Sequence, residues 1–441
     1  MKKFAFFFYI INLVIVLIFW LISSWGLLIS PIYTPMDIGL KFLSWARLFG
    51  LLSMNSVLFQ IILIGRIKWL KGRYEFESLS RYHKENGRVA VVAIILHPIF
   101  INLGYSLIRR LNFTYPEYIS RPLVFLAPIA LFLLVGVVIL SNPLVFNKIN
   151  YKWWYNIHLF TYAAIALVMG HQFLAGGDFQ RVPAFLYYWI GLYLFVFINF
   201  LVYRLILPMY QNNKHKFRVE KIEKETHDTH SIYISGQNMK NFTYEAGQFL
   251  VIRISGLGRE MHPFTISKLY DGKTVRVTVK SSGDYTKKLE TVKAGVKIYI
   301  EGPLGKFTPK TCKKDKVLFI AGGVGITPIR ALLEKMGKEG KEMILLYANK
   351  TKNDIIFKGE LSQLSSKYSI PMHYFFSREK EVDANEHLGR IKIIDVQNLC
   401  PDLKDRDIFI CAPLSMIKQF VRNLIDKGIK KDNIHFEKFN W

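Results

Sequence analysis

Cysteine is nearly missing from this sequence. Three occur in 441 residues, Cys312, Cys400 and Cys411, all in the second half. They show neither metal-ligand spacing nor a disulfide framework, so that half reads as belonging to a reducing compartment. Acidic side chains are scarce too: 33 Asp and Glu stand against 59 Lys and Arg, a formal net charge of +26. Such an excess suggests nucleic acid only when a binding motif accompanies it, and none does. Lys and Arg cluster instead in short stretches beside apolar runs. Internal repeats and low-complexity tracts are absent, which excludes solenoids and compositionally disordered segments.

Apolar residues are plentiful but unevenly placed. Residues 1–207 carry long apolar runs, whereas 208–441 alternate as soluble structure does. Segments near 5–30, 41–65, 89–108, 122–141, 154–174 and 184–207 predict six spans of roughly 20 residues, enough to cross ~30 Å of hydrocarbon. Met1-Lys2-Lys3 and the following run resemble a signal peptide. The run is too long for one and no small-residue cleavage site follows, so it reads as a retained span. Arg66, Lys68, Lys71, Arg73, Arg81, Lys84 and Arg88 mark one loop, and Lys148 and Lys152 flank the fifth span. Arg109, Arg110 and Arg121 lie on the opposite side. The positive-inside bias puts the N-terminus, 66–88, 142–153 and the C-terminal half in the cytoplasm of an integral plasma-membrane protein.

Four histidines belong to the spans. His83 and His97 are 14 residues apart, His158 and His171 13 apart. On helices these are separations of about 21 and about 20 Å at 1.5 Å per residue. Spans three and five run the same way, so His83 and His158 form an inner pair, His97 and His171 an outer pair. Each pair is placed to clamp one haem iron axially, giving two b-type haems across the bilayer. Imidazoles at membrane depth are costly and by default functional. Fourteen residues keep His83 and His97 on one helix face. Thirteen leave His158 and His171 about 140° apart, which demands an irregularity that Gly170 is suited to allow. His215, His227, His230, His373, His387 and His435 show no ligand pattern.

Beyond residue 215 the period changes. Segments 229–235, 248–254 and 274–280 alternate or are β-branched, predicting a small antiparallel barrel over 215–310. From 316, apolar strands at Val317–Ala321, Met343–Ala348, Met372–Phe376 and Ile408–Cys411 alternate with helical stretches, predicting a parallel α/β sheet. Ala321-Gly322-Gly323-Val324-Gly325-Ile326-Thr327-Pro328 lies between strand and helix. Such a turn brings backbone N–H groups and a helix N-terminus to a pyrophosphate.

That turn is preceded by His262-Pro263-Phe264-Thr265-Ile266-Ser267, Gly283-Asp284-Tyr285-Thr286 and Glu301-Gly302-Pro303-Leu304-Gly305, and followed by Cys411-Ala412-Pro413. In this order the blocks resemble the ferredoxin–NADP reductase superfamily. With the histidine pairs in front, nearly the whole chain resembles the NADPH oxidase and ferric reductase family of transmembrane flavocytochromes, in a compact prokaryotic form. The resemblance implies a multi-domain membrane protein. A six-helix bundle holding two haems would occupy 1–210. An FAD-binding β-barrel domain would occupy 211–312 and a Rossmann-like α/β NADPH domain 313–441. It implies that Phe264 packs on the isoalloxazine of FAD and that Thr265 bonds near its reactive nitrogen. His262, with Pro263, stands where soluble members place an Arg for the pyrophosphate. Lys280 and the turn Gly283, Asp284, Tyr285, Thr286 would hold the FAD phosphates. Gly322, Gly323, Gly325 and Thr327 would bind the nicotinamide dinucleotide, with Cys411 near its ring. Trp441, or failing it Phe439, would cover the flavin's other face. Ser377-Arg378 would grip a 2′-phosphate, which favours NADPH over NADH.

Arg47, 19 residues before Arg66, would meet an outer haem propionate or the acceptor, while Trp153 and Trp154 read as an interfacial belt. Animal oxidases carry a further His one turn past the outer ligand, where this chain has Ile101, so the oxygen site differs. No EF-hand precedes the spans, which implies an enzyme that needs no switch. The implied activity passes electrons from cytoplasmic NADPH through FAD and both haems to external O2, forming superoxide. The alternatives are a ferric-chelate reductase with the same wiring and an electron-donating membrane subunit. No obligate protein partner is implied, and the lipid bilayer is the one surrounding required.

Overall fold

The computed structural model describes residues 4–71, 74, 76–109, 124–146, 148–149 and 151–438. The chain divides into two compact units, Met1–Leu207 and Pro208–Trp441.

The first unit is helical. Its elements are α1 (Phe4–Ile29), α2 (Pro35–Ile64), α3 (Phe76–Arg109), α4 (Leu126–Ser141), α5 (Tyr151–His158), α6 (Phe160–Ala175), α7 (Gly177–Arg181) and α8 (Pro183–Phe200). A π-helical stretch, Leu201–Ile206, continues α8 into α9 (Leu207–His215). Thr34 starts α2 for a local reason. It accepts from the Asp37 amide while Asp37 accepts from the Thr34 amide, and Pro35 opens the first turn. This reciprocal cap satisfies donors that a helix N-terminus leaves free. Among the described residues five helical stretches are long and apolar enough to cross a membrane: Phe7–Ile29, Pro35–Ile64, Ser78–Ile108, Trp153–Arg181 and Pro183–His215. The expected span at 122–141 is described as the shorter apolar helix α4, of 16 residues.

Two helices differ from expectation. The third begins at Phe76 rather than 89, so His83 lies within it. The irregularity expected at Gly170 falls instead at Leu159, between α5 and α6. Thr161 Oγ1 donates to the His158 carbonyl there, a back-bond that bends helices. The core of the unit lies where α1 and α2 meet α8: Val16, Trp20, Leu51, Leu58, Phe185 and Trp189 are all buried. Trp20 Nε1 donates to the Ser44 carbonyl at 2.9 Å.

The second unit begins with six antiparallel strands: β1 (Arg218–Thr226), β2 (Thr229–Ser235), β3 (Phe249–Ile254), β4 (His262–Thr265), β5 (Val275–Lys280) and β6 (Ile298–Leu304). They form two sheets, β1-β2-β5 and β4-β3-β6. Bridges Arg218↔Lys297 and Ile266↔Val277 join the two sheets. Alternating side chains such as Ile232, Ile234, Leu250, Ile252, Val275 and Val277 fill the interior. A short helix α10 (Asp284–Lys287) follows β5.

A parallel sheet comes next: β7 (Lys316–Gly322), β8 (Glu342–Asn349), β9 (Met372–Phe376), β10 (Glu386–Leu388), β11 (Arg406–Cys411) and β12 (Ile434–Glu437), in the order β10-β9-β8-β7-β11-β12. The connecting helices are α11 (Ile326–Lys338), α12 (Lys358–Tyr368), α13 (Ile393–Leu399) and α14 (Leu414–Asp426). The chain leaves β7 for β8 on one side and returns as β11 on the other. Strand order therefore reverses between β7 and β11, the place where open α/β sheets bind ligands beyond their carboxyl ends.

Candidate functional site

The four span histidines meet in two pairs across helices. The rings of His83 and His158 have centroids 6.1 Å apart, and those of His97 and His171 6.2 Å apart. An imidazole–metal bond of about 2.0–2.1 Å, extended by about 1.1 Å from nitrogen to ring centre and doubled, gives about 6.2–6.4 Å. The spacing in both pairs therefore suits one metal ion between two axial imidazoles.

Helix α2 orients the two histidines of α3. The Nδ1 of His97 lies 2.7 Å from the Ala46 carbonyl, and that of His83 lies 3.3 Å from the Gln60 carbonyl. At His97 an Nδ1–H given to the carbonyl leaves Nε2 as the free ligand atom, the usual arrangement behind a metal-bound His; at His83 the Gln60 side-chain amide also reaches the ring nitrogens. Ala46 and Gln60 are themselves 14 residues apart, matching His83 and His97. Gly50 makes room: a Cβ there would stand 3.0 Å from His97 Nδ1. The partner histidines are held differently. Their Nδ1 atoms are buried without a hydrogen-bond partner. Trp154 stacks on His158 at 5.0 Å and donates to Ser141 Oγ at 3.1 Å, so it positions a histidine rather than serving only as an interfacial residue. Beside His171, the Gln172 side-chain oxygen accepts from Trp189 Nε1 and Tyr193 Oη at 3.2 and 2.9 Å. Those bonds fasten α6 to α8.

Arg47 has a partner that the sequence did not reveal. Its Nε lies 3.0 Å from Asp178 Oδ2 and its Nη2 3.1 Å from Ser24 Oγ, while Ser23 Oγ donates to Asp178 Oδ1 at 2.5 Å. The guanidinium is thus engaged by a buried carboxylate. Arg47 and Arg181, with Ser23 and Ser30, line a cavity of about 570 Å3 against Leu27, Leu40 and Leu43.

In the second unit the His-Pro-Phe-Thr stretch is strand β4. Successive side chains point to opposite faces, so His262 and Phe264 share one face and Pro263 and Thr265 the other. His262 packs against Tyr285 with the rings tilted by 37° and centroids 4.1 Å apart. Tyr285 Oη accepts from the Ile254 amide at 3.0 Å. These contacts bring the α10 turn beside β4. The Thr265 hydroxyl and His262 Nε2 are buried without partners. Such atoms are costly unless a ligand meets them, and a flavin dinucleotide offers acceptors for both. Burial holds His262 below its ordinary value of 6.5, against a smaller upward pull from Glu260.

Two expected phosphate contacts are engaged internally. Lys280 Nζ pairs with Asp228 at 2.9 Å. Thr286 Oγ1 accepts from the amides of Ser282 and Gly283, each at 3.0 Å. Gly283 and Asp284 open α10.

The glycine-rich turn lies at the carboxyl end of β7. A Cβ on Gly325 would collide with the Cys411 carbonyl, and one on Gly322 would stand 2.9 Å from Pro413. The turn and Cys411-Ala412-Pro413 therefore converge at the strand-order reversal. Thr327 is buried, its Oγ1 donating to the Val324 carbonyl at 2.9 Å. The Cys411 thiol is wholly buried, and that burial pushes its pKa well above the usual thiol value. Its chemistry is that of polarizable packing, not of a thiolate. Ser377 and Arg378 are exposed just past β9, their amides bound to the Asn349 and Lys350 carbonyls at 3.1 and 2.9 Å. Asn349 belongs to no motif legible in the sequence. It is buried at the end of β8, one step beyond the Gly322↔Ala348 pairing, and its amide atoms have no partner. Trp441 and Phe439 lie outside the described residues.

Three families match parts of the chain. Residues 49–169 match the family "Ferric reductase like transmembrane component", 214–316 an "FAD-binding domain" and 319–422 an "Oxidoreductase NAD-binding domain". The glycine betaine monooxygenase reductase subunit of Pseudomonas aeruginosa is 26% identical over 237 residues, covering 52% of this chain and 65% of that protein. The ferredoxin reductase component of the 3-ketosteroid-9-alpha-monooxygenase of Mycolicibacterium smegmatis is 28% identical over 239 residues, 51% of this chain and 65% of that one. The chain thus spans less than two thirds of the length of these curated relatives. Among solved structures, the FAD/NAD-binding domain of the Vibrio cholerae nitric oxide dioxygenase is similar with a TM-score of 0.45 and 23% identity, covering 51% of this chain and 99% of that one. The chain has the NADPH oxidase/ferric reductase-like flavocytochrome architecture: a ferric reductase-like transmembrane component followed by FAD-binding and NAD-binding oxidoreductase domains.

Proposed function

We propose that the chain is a six-span NADPH oxidase that carries electrons from cytoplasmic NADPH through FAD and two b-type haems to external O2, forming superoxide. The observation that carries this reading is the pair of cross-helix histidine couples at 6.1 and 6.2 Å. When bound, the nicotinamide supplies hydride, the flavin divides the electron pair, and the haems pass electrons singly.

The protein's own part is positioning. His83 and His158 would hold the inner metal and His97 and His171 the outer one, and the Ala46 carbonyl, 2.7 Å from His97 Nδ1, favours the tautomer that frees Nε2 there. With both imidazoles of a pair on one metal, the bound group would supply single-electron transfer rather than a place for the acceptor to bind. Thr265 offers its unpartnered hydroxyl to the flavin edge and His262 its Nε2 to the pyrophosphate. Gly323, where a Cβ would meet nothing within 4 Å, leaves room for the dinucleotide backbone, Gly322 and Gly325 admit the Cys411-Ala412-Pro413 segment beside it, and Arg378 meets the 2′-phosphate. Trp441 is assigned the flavin's outer face by resemblance alone.

The cavity of about 570 Å3 beside Arg47 and Arg181 favours a second reading, reduction of an anionic ferric chelate, because Arg181 supplies a cation next to the Arg47–Asp178 pair. Purified protein given NADPH and O2 without iron tests the first reading. Acceptor reduction abolished by superoxide dismutase is expected. Anaerobic reduction of ferric chelate at full rate, with no superoxide formed in air, would favour the second.

A further inference from the structure

A charge network, half-buried at its centre, joins the flavin domain to the dinucleotide helix. Its centre is Glu360 on α12. On one side the Glu360 carboxylate accepts from Arg276 of β5, through Nη1 and, at 3.0 Å, through Nη2. On the other it forms an ion pair, without hydrogen-bond alignment, with Arg330 Nε of α11 at 2.6 Å. The Arg276 side chain is 4% exposed. It also donates from Nε to Ser267 Oγ at 3.1 Å and from Nη2 to the Ser267 carbonyl at 2.8 Å. Its guanidinium lies over the Phe357 ring, 4.5 Å from the centroid. Phe357 holds a φ of 60° just before α12, a conformation uncommon for a bulky side chain.

The sequence positions of these contacts matter. Ser267 lies two residues past Thr265, and Arg330 five past Gly325. Three charged side chains thus tie the backbone carrying the flavin-edge hydroxyl to the helix headed by the glycine-rich turn. Ser267 is braced from behind, its Oγ 2.8 Å from Thr278 Oγ1, which lies 2.8 Å from Ser231 Oγ. Such a network is a poor source of stability: solvent screens the 32% exposed Glu360 carboxylate, and desolvation of the 4% exposed Arg276 offsets its Coulomb gain. Well-packed apolar residues would serve a purely structural joint as well. What charges and paired donors add is a fixed geometry.

We propose that Arg276, Glu360 and Arg330 are positioning residues that set the approach of the nicotinamide to the flavin. The inference rests on the cofactor assignment given under the proposed function. Hydride transfer is steep in distance, and a displacement of about 1 Å costs about 100-fold. Loss of the central carboxylate therefore slows flavin reduction at saturating NADPH, while leaving FAD content and half-saturation little changed.

The test is anaerobic stopped-flow reduction of the flavin by NADPH in the full-length, FAD-loaded protein. Glu360→Gln is expected to lower the limiting rate on the order of 10- to 100-fold, and Glu360→Asp to recover part of it. A limiting rate equal to wild type in Glu360→Gln overturns the proposal, whatever happens to thermal stability. Should Glu360→Gln fail to fold, Arg330→Gln leaves the Arg276–Glu360 pair in place and carries the same expectation. A wild-type flavin that NADPH does not reduce overturns the cofactor assignment and the proposal with it.

Discussion

Gly50 offers a measured perturbation of the outer histidine pair. It lies on α2 one turn after Ala46, whose carbonyl sits 2.7 Å from His97 Nδ1. An added Cβ would stand 3.0 Å from that nitrogen and 3.1 Å from Cε1. Unstrained contacts begin near ~3.5 Å, so Gly50→Ala requires the imidazole or the helix to yield by about 0.5 Å. Overpacking of this kind costs about 1–3 kcal/mol. The shift also draws Nδ1 away from the carbonyl that fixes its tautomer, and loss of such support weakens metal binding by about 10- to 100-fold. We therefore expect Gly50→Ala to weaken the outer haem by about 5- to 150-fold and to leave the inner one bound. Gly191→Ala is the control, because nothing lies within 4 Å of a Cβ there. The assay is haem per chain by pyridine haemochromogen after graded dilution in detergent. Equal haem retention in Gly50→Ala and Gly191→Ala would refute the reasoning.

Three further outcomes follow from the second unit. Arg378→Ala should lower kcat/KM for NADPH by about 10- to 150-fold, the worth of a charge-assisted phosphate contact of about 1.5–3 kcal/mol, while NADH kinetics stay nearly unchanged. Gly325→Ala sets a Cβ against the Cys411 carbonyl; NADPH-driven flavin reduction should fall while FAD content, read by absorbance, does not. His262 titrates below 6.5 because it is buried. The unfolded chain thus gains a proton near 6.5 that the folded one refuses, and stability that is full above 6.5 is lost as pH falls through the folded pKa. His262→Gln should flatten that part of the Tm–pH profile measured without FAD. An unchanged profile would contradict the assignment.

Much of the architecture is legible in the sequence because its signals are local. Long apolar runs, period-two strands and a glycine-rich turn each declare themselves within about ten to twenty residues. The histidine pairing is legible because helical rise and bilayer thickness are fixed lengths. What escaped is non-local or contrary to composition. The start of α3 was hidden by Arg81, Lys84 and Arg88, charges that a helix tolerates at its polar end but a hydropathy count rejects. The break at Leu159 arises from a Thr161 hydroxyl bonding back to His158, with neither Gly nor Pro to announce it. Asp178 meets Arg47 across 131 positions, and Glu360 meets Arg276 across 84; no spacing rule reaches that far. Strands β10 and β12, of three and four residues, are too short to show a period.

The central claim is that the two histidine couples are the axial ligands of two haems in series. Reduced-minus-oxidised spectra with haem counts on wild type, His97→Ala and His171→Ala test it most directly. The account predicts two b-type haems per wild-type chain, one in each variant, and NADPH reduction of the flavin preserved in both while external reduction is lost. Two haems retained in both variants would contradict it.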